Sequence, residues 1–406
     1  MWCPFANIVP PDARSAYRRD ATAGILGAVM SGLTGPFVAV IARKTLHASA
    51  LEISILSMAP VAGYLFSLVW ANMMEGRRKM PFALWSWVVA RALLVLCIFA
   101  TRSWSLIAIF SAVYLISSIA QPAYSALMKE IYPDSDRARI MSYARVCTVG
   151  AFVAVTAIAS PLVKGDGYRY VFPFAAVFGV ISAFAFARIP TVKADGRSEV
   201  PLHRFVGSGL MILRDDQGFA WFCAGIFVFG FANFLATPIY TIYQVQIGVD
   251  TTWAGIYSIV AALTMTVAFF YWGPYTDRKR PEGLVAIQAL CFAAIPIIYC
   301  FATRPWMLLP ATLVSGIINA GLELSYFTGV LHFAPEDRIT SYQAVFLSLM
   351  GFRGIVAPFI GAALQQSGVL TTRSIFALSA AMIAFSVVVQ LVGMRRYGGA
   401  RPPDSI

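Results

Sequence analysis

The sequence predicts an all-α integral membrane protein, with twelve transmembrane helices in two pseudo-symmetric six-helix bundles. Three observations predict it. Hydrophobic residues make up 59% of the 406 and charged residues only 12%, where a soluble domain carries about 25%. The apolar residues run in stretches long enough to cross a bilayer, which takes about 20 of them. The two halves of the chain also match each other at a single offset. A mean hydropathy of +0.72 fits a chain whose main solvent is lipid.

The apolar stretches fall near residues 20–42, 49–74, 81–101, 104–130, 138–163, 169–189, 217–243, 252–275, 283–302, 305–331, 339–365 and 373–394. Their apolar runs are unbroken, without the strict alternation of barrel strands, so they are helices. Residues 1–19 form a lead-in and 20–189 the first bundle. Residues 190–216 form a charged linker, 217–394 the second bundle and 395–406 a tail. The lead-in has no apolar core and ends in Arg14, Arg18 and Arg19, so it is expected to be no cleavable signal.

Charge sets the orientation. With the N-terminus inside, 21 of the 31 Lys and Arg fall in inner segments and seven in outer ones. Positive charge stays on the cytoplasmic side, so both termini are expected there, in the plasma (cytoplasmic) membrane. The net charge of +12 does not point to nucleic acid, because the basic residues sit in short clusters between apolar runs. The six cysteines form no CxxC and the three histidines lie far apart. No metal and no cofactor are expected.

The repeat is carried by loop residues. Pro36 and Pro238 are 202 apart, as are Trp70 and Trp272, Glu75 and Asp277, Arg78 and Arg280, Tyr124 and Tyr326, and Pro133 and Pro335. Three residues are then missing from the second half, and Arg139-Ile-Met-Ser-Tyr143 matches Arg338-Ile-Thr-Ser-Tyr342.

In its twelve spans, its 6+6 division and its charged linker, the chain resembles the major facilitator superfamily over nearly its whole length. The most specific motif is Gly273-Pro-Tyr-Thr-Asp277-Arg278-Lys279-Arg280, which follows the family's loop pattern of Gly, three residues, Asp and then basic residues. Its first-half partner, Ala71-Asn-Met-Met-Glu75-Gly76-Arg77-Arg78-Lys79, departs from it, with Glu for Asp and Ala for Gly. The resemblance implies that Glu75, Arg77, Arg78, Asp277, Arg278 and Arg280 form a gate motif. A carboxylate there can cap a helix N-terminus when the inner side is closed. The bland alternative is that these cations only set topology.

The resemblance also implies that the first, fourth, seventh and tenth helices line a cavity. Glu323 then lines it, with Gln121 as its offset partner and Asn233, Asn319 and Tyr240 on the same helix set. Charge at bilayer depth is costly, and four charged residues fall within spans: Arg91, Arg145, Glu323 and Arg353. Glu323 either touches substrate or a coupling proton, or it pairs with Arg353. The first, fourth and seventh spans are expected to hold no acid. Gly32, Gly35, Gly351, Gly354 and Gly361 are expected to let helices approach closely.

The function implied is a secondary transporter, moving a small organic solute by alternating access. Proton-coupled export and facilitated diffusion both fit. The partners expected are that solute, protons and the bilayer, with the chain a monomer. No phosphate-binding GxxxxGK[ST] loop is present. An integral membrane enzyme would need clustered His, Asp or Cys, which the sequence lacks. A lipid flippase or a non-transporting sensor uses the same fold, and a lipid-handling version should show a lateral cleft between helices.

Overall fold

The computed structural model describes residues 5–11, 13–74, 77–132, 137–190, 211–278, 280–335 and 338–397. Helices account for all twelve expected spans. They are α1 (Arg14–Thr34, prolonged by Val38–Val40 and a π turn at Ile41–Thr45), α2 (Ala50–Leu65, then Ser67–Met74), α3 (Lys79–Ala92, ending in a 3-10 stretch, Leu93–Phe99), α4 (Ser103–Ser118, then Ala120–Ile131), α5 (Arg137–Leu162) and α6 (Tyr168–Ala187). The second set is α7 (Gln217–Gln246), α8 (Thr251–Arg278), α9 (Pro281–Phe292, then Ala294–Phe301), α10 (Leu309–Phe333), α11 (Ile339–Gln366) and α12 (Thr372–Tyr397). Eleven are long and apolar enough to cross a membrane. The exception is α2, whose Ala50–Leu65 piece is shorter and contains Pro60. Proline removes a helical donor, and the chain breaks its ladder at Phe66 before Ser67–Met74 resumes.

The repeat extends to packing. In the first six-helix set α1 lies against α5 and α6, α2 against α4, and α3 against α4 and α6. In the second, α7 lies against α11 and α12, and α9 against α10 and α12. Without a hydrophobic force between helices in lipid, close approach and polar links hold them together. Ser182 Oγ donates to Ala23 O at 2.7 Å, joining α6 to α1. Ser379 Oγ donates to Ala232 O at 2.9 Å, joining α12 to α7, the corresponding pair of helices. Gln390 Nε2 adds a second link, to Phe222 O at 3.1 Å. Such bonds contribute about 0.6 kcal/mol each. Two of the glycines singled out do permit contact: a Cβ at Gly32 would come within 3.1 Å of Phe152 O on α5, and one at Gly361 would strike Leu235 O on α7.

By contacts the chain divides into two compact units, residues 1–199 with 249–259, and residues 200–248 with 260–406. The first turns of α8 thus belong with the first unit. Ser160 Oγ donates to Thr251 O at 3.1 Å, and Lys164 faces Asp250 at 3.9 Å. Sequence alone would have put all of α8 with the second half.

Large apolar side chains stay exposed along the helices, among them Phe99 at 75%, Phe270 at 74% and Phe301 at 72%. On a soluble protein such a surface would aggregate. Here it is the face toward lipid.

The start of α2 carries a signal present in the sequence that was passed over. Ser49-x-x-Glu52 is a capping box. Glu52 N donates to Ser49 Oγ at 3.2 Å and Ser49 N to Glu52 Oε2 at 2.7 Å. Ser103 Oγ adds a bond to Glu52 Oε1 at 2.6 Å, tying α2 to α4. Replacing Ser49 with Ala should cost about 1 kcal/mol, visible as a lower unfolding temperature in detergent. An unchanged temperature would show that the box does not hold this helix.

Candidate functional site

Ionisable and polar side chains within the spans fall into three kinds. The first are arginines turned into their own bundle. Arg353 on α11 is 5% exposed. Its Nη1 donates to Ile226 O on α7, and Tyr326 on α10 is a further side-chain partner. A guanidinium on α11 therefore links three helices of one unit. Arg91 on α3 joins two helices of the first unit: Nη1 donates to Gly179 O on α6 at 2.6 Å, and the guanidinium lies over the ring of Trp87, on its own helix, at 4.9 Å. Each sits opposite a glycine. A Cβ at Gly230 would overlap the Arg353 guanidinium, and one at Gly179 would press on the Arg91 stem. Arg145 on α5 is exposed.

The second kind is a buried acid that the sequence reading did not count. The expectation of no acid in the first and fourth spans fails: Asp20 opens the expected first span and lies inside α1, which starts at Arg14, and Glu130 lies in the last turn of α4. Asp20 is 7% exposed and accepts from Tyr132 Oη at 2.8 Å, which ties α1 to the end of α4. The second unit has a parallel. Asp216 caps α7 by accepting from Phe219 N at 2.9 Å and also accepts from Tyr342 Oη at 3.0 Å. Tyr342 belongs to the repeated motif, and its counterpart Tyr143 stacks on Phe5 at 5.1 Å. In each unit the segment entering its first helix is fastened by tyrosine.

The third kind is a polar stripe. On α10, Asn319 and Glu323 are both exposed and lie one turn apart. Asn319 Nδ2 donates to Ser315 O at 2.8 Å and to Ser315 Oγ at 3.0 Å. Residues four apart share a helix face, so Ser315, Asn319 and Glu323 form one line down an otherwise apolar helix. In the first unit Gln121 is exposed on α4, with Ser117 one turn before it. The four-residue spacing could have revealed both serines. Asn233, on α7, is half-buried, and Thr237 Oγ1 donates to its carbonyl at 2.9 Å.

Tyr240 belongs to none of these lines. It packs inside the second unit, 4.3 Å from the Tyr299 ring on α9 and 5.1 Å from Phe376 on α12. Tyr243 joins the same cluster and donates to Ala302 O at 2.6 Å.

Of the gate motif, Arg77 and Arg78 are exposed, and so is Arg280. The offset pair Arg78 and Arg280 occupy the same place, the residue before α3 and the residue before α9. Glu75 lies outside the described residues. Asp277 and Arg278 are in the last turn of α8, with their side chains outside the described residues.

The second unit also holds a groove of about 600 Å³ between α8, α9 and α10. Leu263, Thr264, Val267, Ala268, Tyr271, Trp272 and Tyr275 of α8 form one wall, and Ile287 and Ile317 close the other. Among the described residues no cluster of His, Cys, Asp or Glu could hold a metal ion.

The sequence matches the model of the Major Facilitator Superfamily over residues 21–358. The chain belongs to that family, and it is a secondary transporter rather than an enzyme. A variant of the nucleoside transporter NupG superposes with a TM-score of 0.70 at 14% identity, covering 94% of this chain and all of that one. A D-xylose–proton symporter gives 0.67 at 11%, covering 93% and 96%. A bacterial homologue of the human lysosomal transporter Spinster, inward-facing and occupied, gives 0.65 at 13%, covering 96% and 98%. Identities this low speak for the fold alone. No curated protein matches the sequence.

The arginine sockets are open to test. Gly230→Ala should destabilise the protein by about 1–3 kcal/mol, the usual cost of forcing atoms into a packed interior. Gly150→Ala, where a Cβ would meet nothing within 4 Å, is the control and should leave the detergent unfolding temperature where it was or raise it. Equal behaviour of the two variants would count against the socket.

Proposed function

We propose that the protein moves a small organic solute across the cytoplasmic membrane by alternating access, with both termini in the cytoplasm. Glu323 carries the coupling proton or contacts the solute. The observation that carries this reading is the polar stripe of half-buried Ser315 and exposed Asn319 and Glu323 on a membrane helix. A carboxylate within a span faces bundle interior or a water-filled cavity, and such residues mark solute and ion paths. Gln121 is the corresponding contact of the first unit. Asn233 is a third polar contact for the solute.

Arg353 enters this proposal as a positioning residue. Its guanidinium is held by Ile226 O and Tyr326, and it fixes α11 against α7 and α10. Tyr240, packed among Tyr299 and Phe376, positions α7 in the same way.

The solute class is approached first by stability. A ligand that binds only the folded state raises the unfolding temperature. The panel holds nucleosides, D-xylose and fucose, because similar folds carry them in solved structures. It also holds amphipathic organic cations and anions, since the spans are poor in charge. The stabilising solute is then followed in proteoliposomes under a pH gradient. Glu323→Gln should abolish accumulation driven by the gradient yet leave exchange of solute intact. Accumulation that persists in the variant would remove Glu323 from the coupling role.

Asp277 and Glu75 are proposed as the carboxylates of the inner gate, with Arg77, Arg78, Arg278 and Arg280 beside them. Asp277→Asn should slow transport by at least several-fold while the unfolding temperature stays put. Unchanged transport would leave these cations with topology as their role.

A further inference from the structure

The groove between α8, α9 and α10 has no part in the solute path just proposed, and its lining shares no residue with the Ser315–Glu323 stripe. Seven of its nine lining residues come from one face of α8. They run from Leu263 to Tyr275, a length of about 18 Å at 1.5 Å per residue. The volume of about 600 Å³ lies within the range that takes up a whole small ligand.

Its chemistry rules out a hydrogen-bonding occupant along most of that length. Thr264 Oγ1 is already bonded within its own helix, to Val260 O at 2.7 Å and to Ala261 O at 3.1 Å. Trp272 Nε1 donates to Ile317 O at 2.8 Å. Leu263, Val267, Ala268, Ile287 and Ile317 offer only hydrocarbon. A sugar or nucleoside would lose its hydrogen bonds to water here and gain none, at a cost of several kcal/mol. A hydrocarbon chain loses nothing.

The two ends of the groove differ. Leu263 marks the end in the middle of the span. The other end carries Tyr271 and Tyr275, exposed at 77% and 45%, and aromatic rings with a polar tip gather at the membrane–water interface. Just beyond them the chain reads Asp277-Arg278-Lys279-Arg280-Pro281-Glu282. Three cations outnumber two acids, and Arg280 is exposed. A slot for hydrocarbon that opens beside interfacial tyrosines and an excess of cations matches one kind of molecule. We infer that the groove binds one acyl chain of an anionic phospholipid, whose headgroup is held at Arg280 and the tyrosine hydroxyls.

The same place is where the first unit differs. There α2 packs along α4. Its counterpart α8 meets α10 where Thr264 lies against Gly316 and where Trp272 bonds to Ile317. The lipid chain fills what α2 fills by direct contact, so it is a structural part of the second unit. This assignment does not depend on the identity of the transported solute.

Trp272 lies in the groove wall and reports on it. The intact protein is placed in nanodiscs of phosphatidylcholine containing a small share of phosphatidylglycerol brominated on its acyl chains, and in matched discs with brominated phosphatidylcholine instead. The fluorescence of Trp272 is taken as the difference between the native protein and Trp272→Phe. It should be quenched more strongly by brominated phosphatidylglycerol. A basic residue near the surface favours an anionic lipid by roughly five-fold, so Arg280→Gln should reduce the preference by up to about that factor. Val267→Phe, at a position 58% exposed and therefore tolerant of a larger side chain, should fill the slot and lower quenching by both lipids. Equal quenching of Trp272 by the two lipids would overturn the proposal. So would a preference that survives Arg280→Gln unchanged, or quenching unaffected by Val267→Phe in a protein whose helix content is native.

Discussion

Within hydrocarbon a backbone N–H or C=O has no water to turn to, so every one must be satisfied by the chain itself. Helices satisfy nearly all of them. What remains is the second lone pair on each carbonyl, and the way this protein uses it organises the molecule. Ser182, Ser379, Gln390, Arg91 and Arg353 all donate across to a carbonyl of a neighbouring helix. Helices that lipid gives no reason to associate are thereby joined at fixed heights. Glycines supply the necessary closeness, with Gly230 opposite Arg353 and Gly179 opposite Arg91.

This explains why arginine, costly in a membrane, occurs in both bundles at interior positions. A guanidinium has five donors and cannot be deprotonated in practice, so it needs acceptors from more than one direction. Carbonyls on an adjoining helix provide one, and a ring face or a phenol provides another. In the second unit the result is a fastener between α7, α10 and α11. The charge that looked like half of an ion pair with Glu323 is held inside the bundle, while Glu323 is exposed on α10.

The division of labour between buried and exposed polar groups then separates structure from transport. Arg91, Arg353, Asp20 and Asp216 have partners within their own unit and serve its rigidity. Gln121, Asn319 and Glu323 are exposed on helices that are apolar elsewhere, and the proposed function assigns them to the solute. The groove lined by Trp272 is a third environment, apolar and with its polar atoms already bonded.

Much of this was legible in the sequence. Long apolar runs fix the number and placement of helices, because the bilayer demands a minimum length and a helical backbone. Expected and observed bounds agree within a few residues for most spans, as at Gln217–Gln246 and Thr372–Tyr397. The repeat was legible because loop residues such as Arg78 and Arg280 occupy equivalent helix starts. Burial was not legible. Hydropathy reads composition along the chain and carries no information about which side of a helix a residue occupies or which neighbour it meets. So the burial of Asp20, the packing of Tyr240 on Tyr299 and the bond from Arg353 to Ile226 O could not be read from the chain alone. The sequence determined that this chain crosses the membrane as two related sets of helices, because that depends on length and polarity alone. Only the tertiary structure decided which polar groups bind the bundle together and which remain exposed, because that depends on the rotation of each helix about its axis, set by packing across the whole unit.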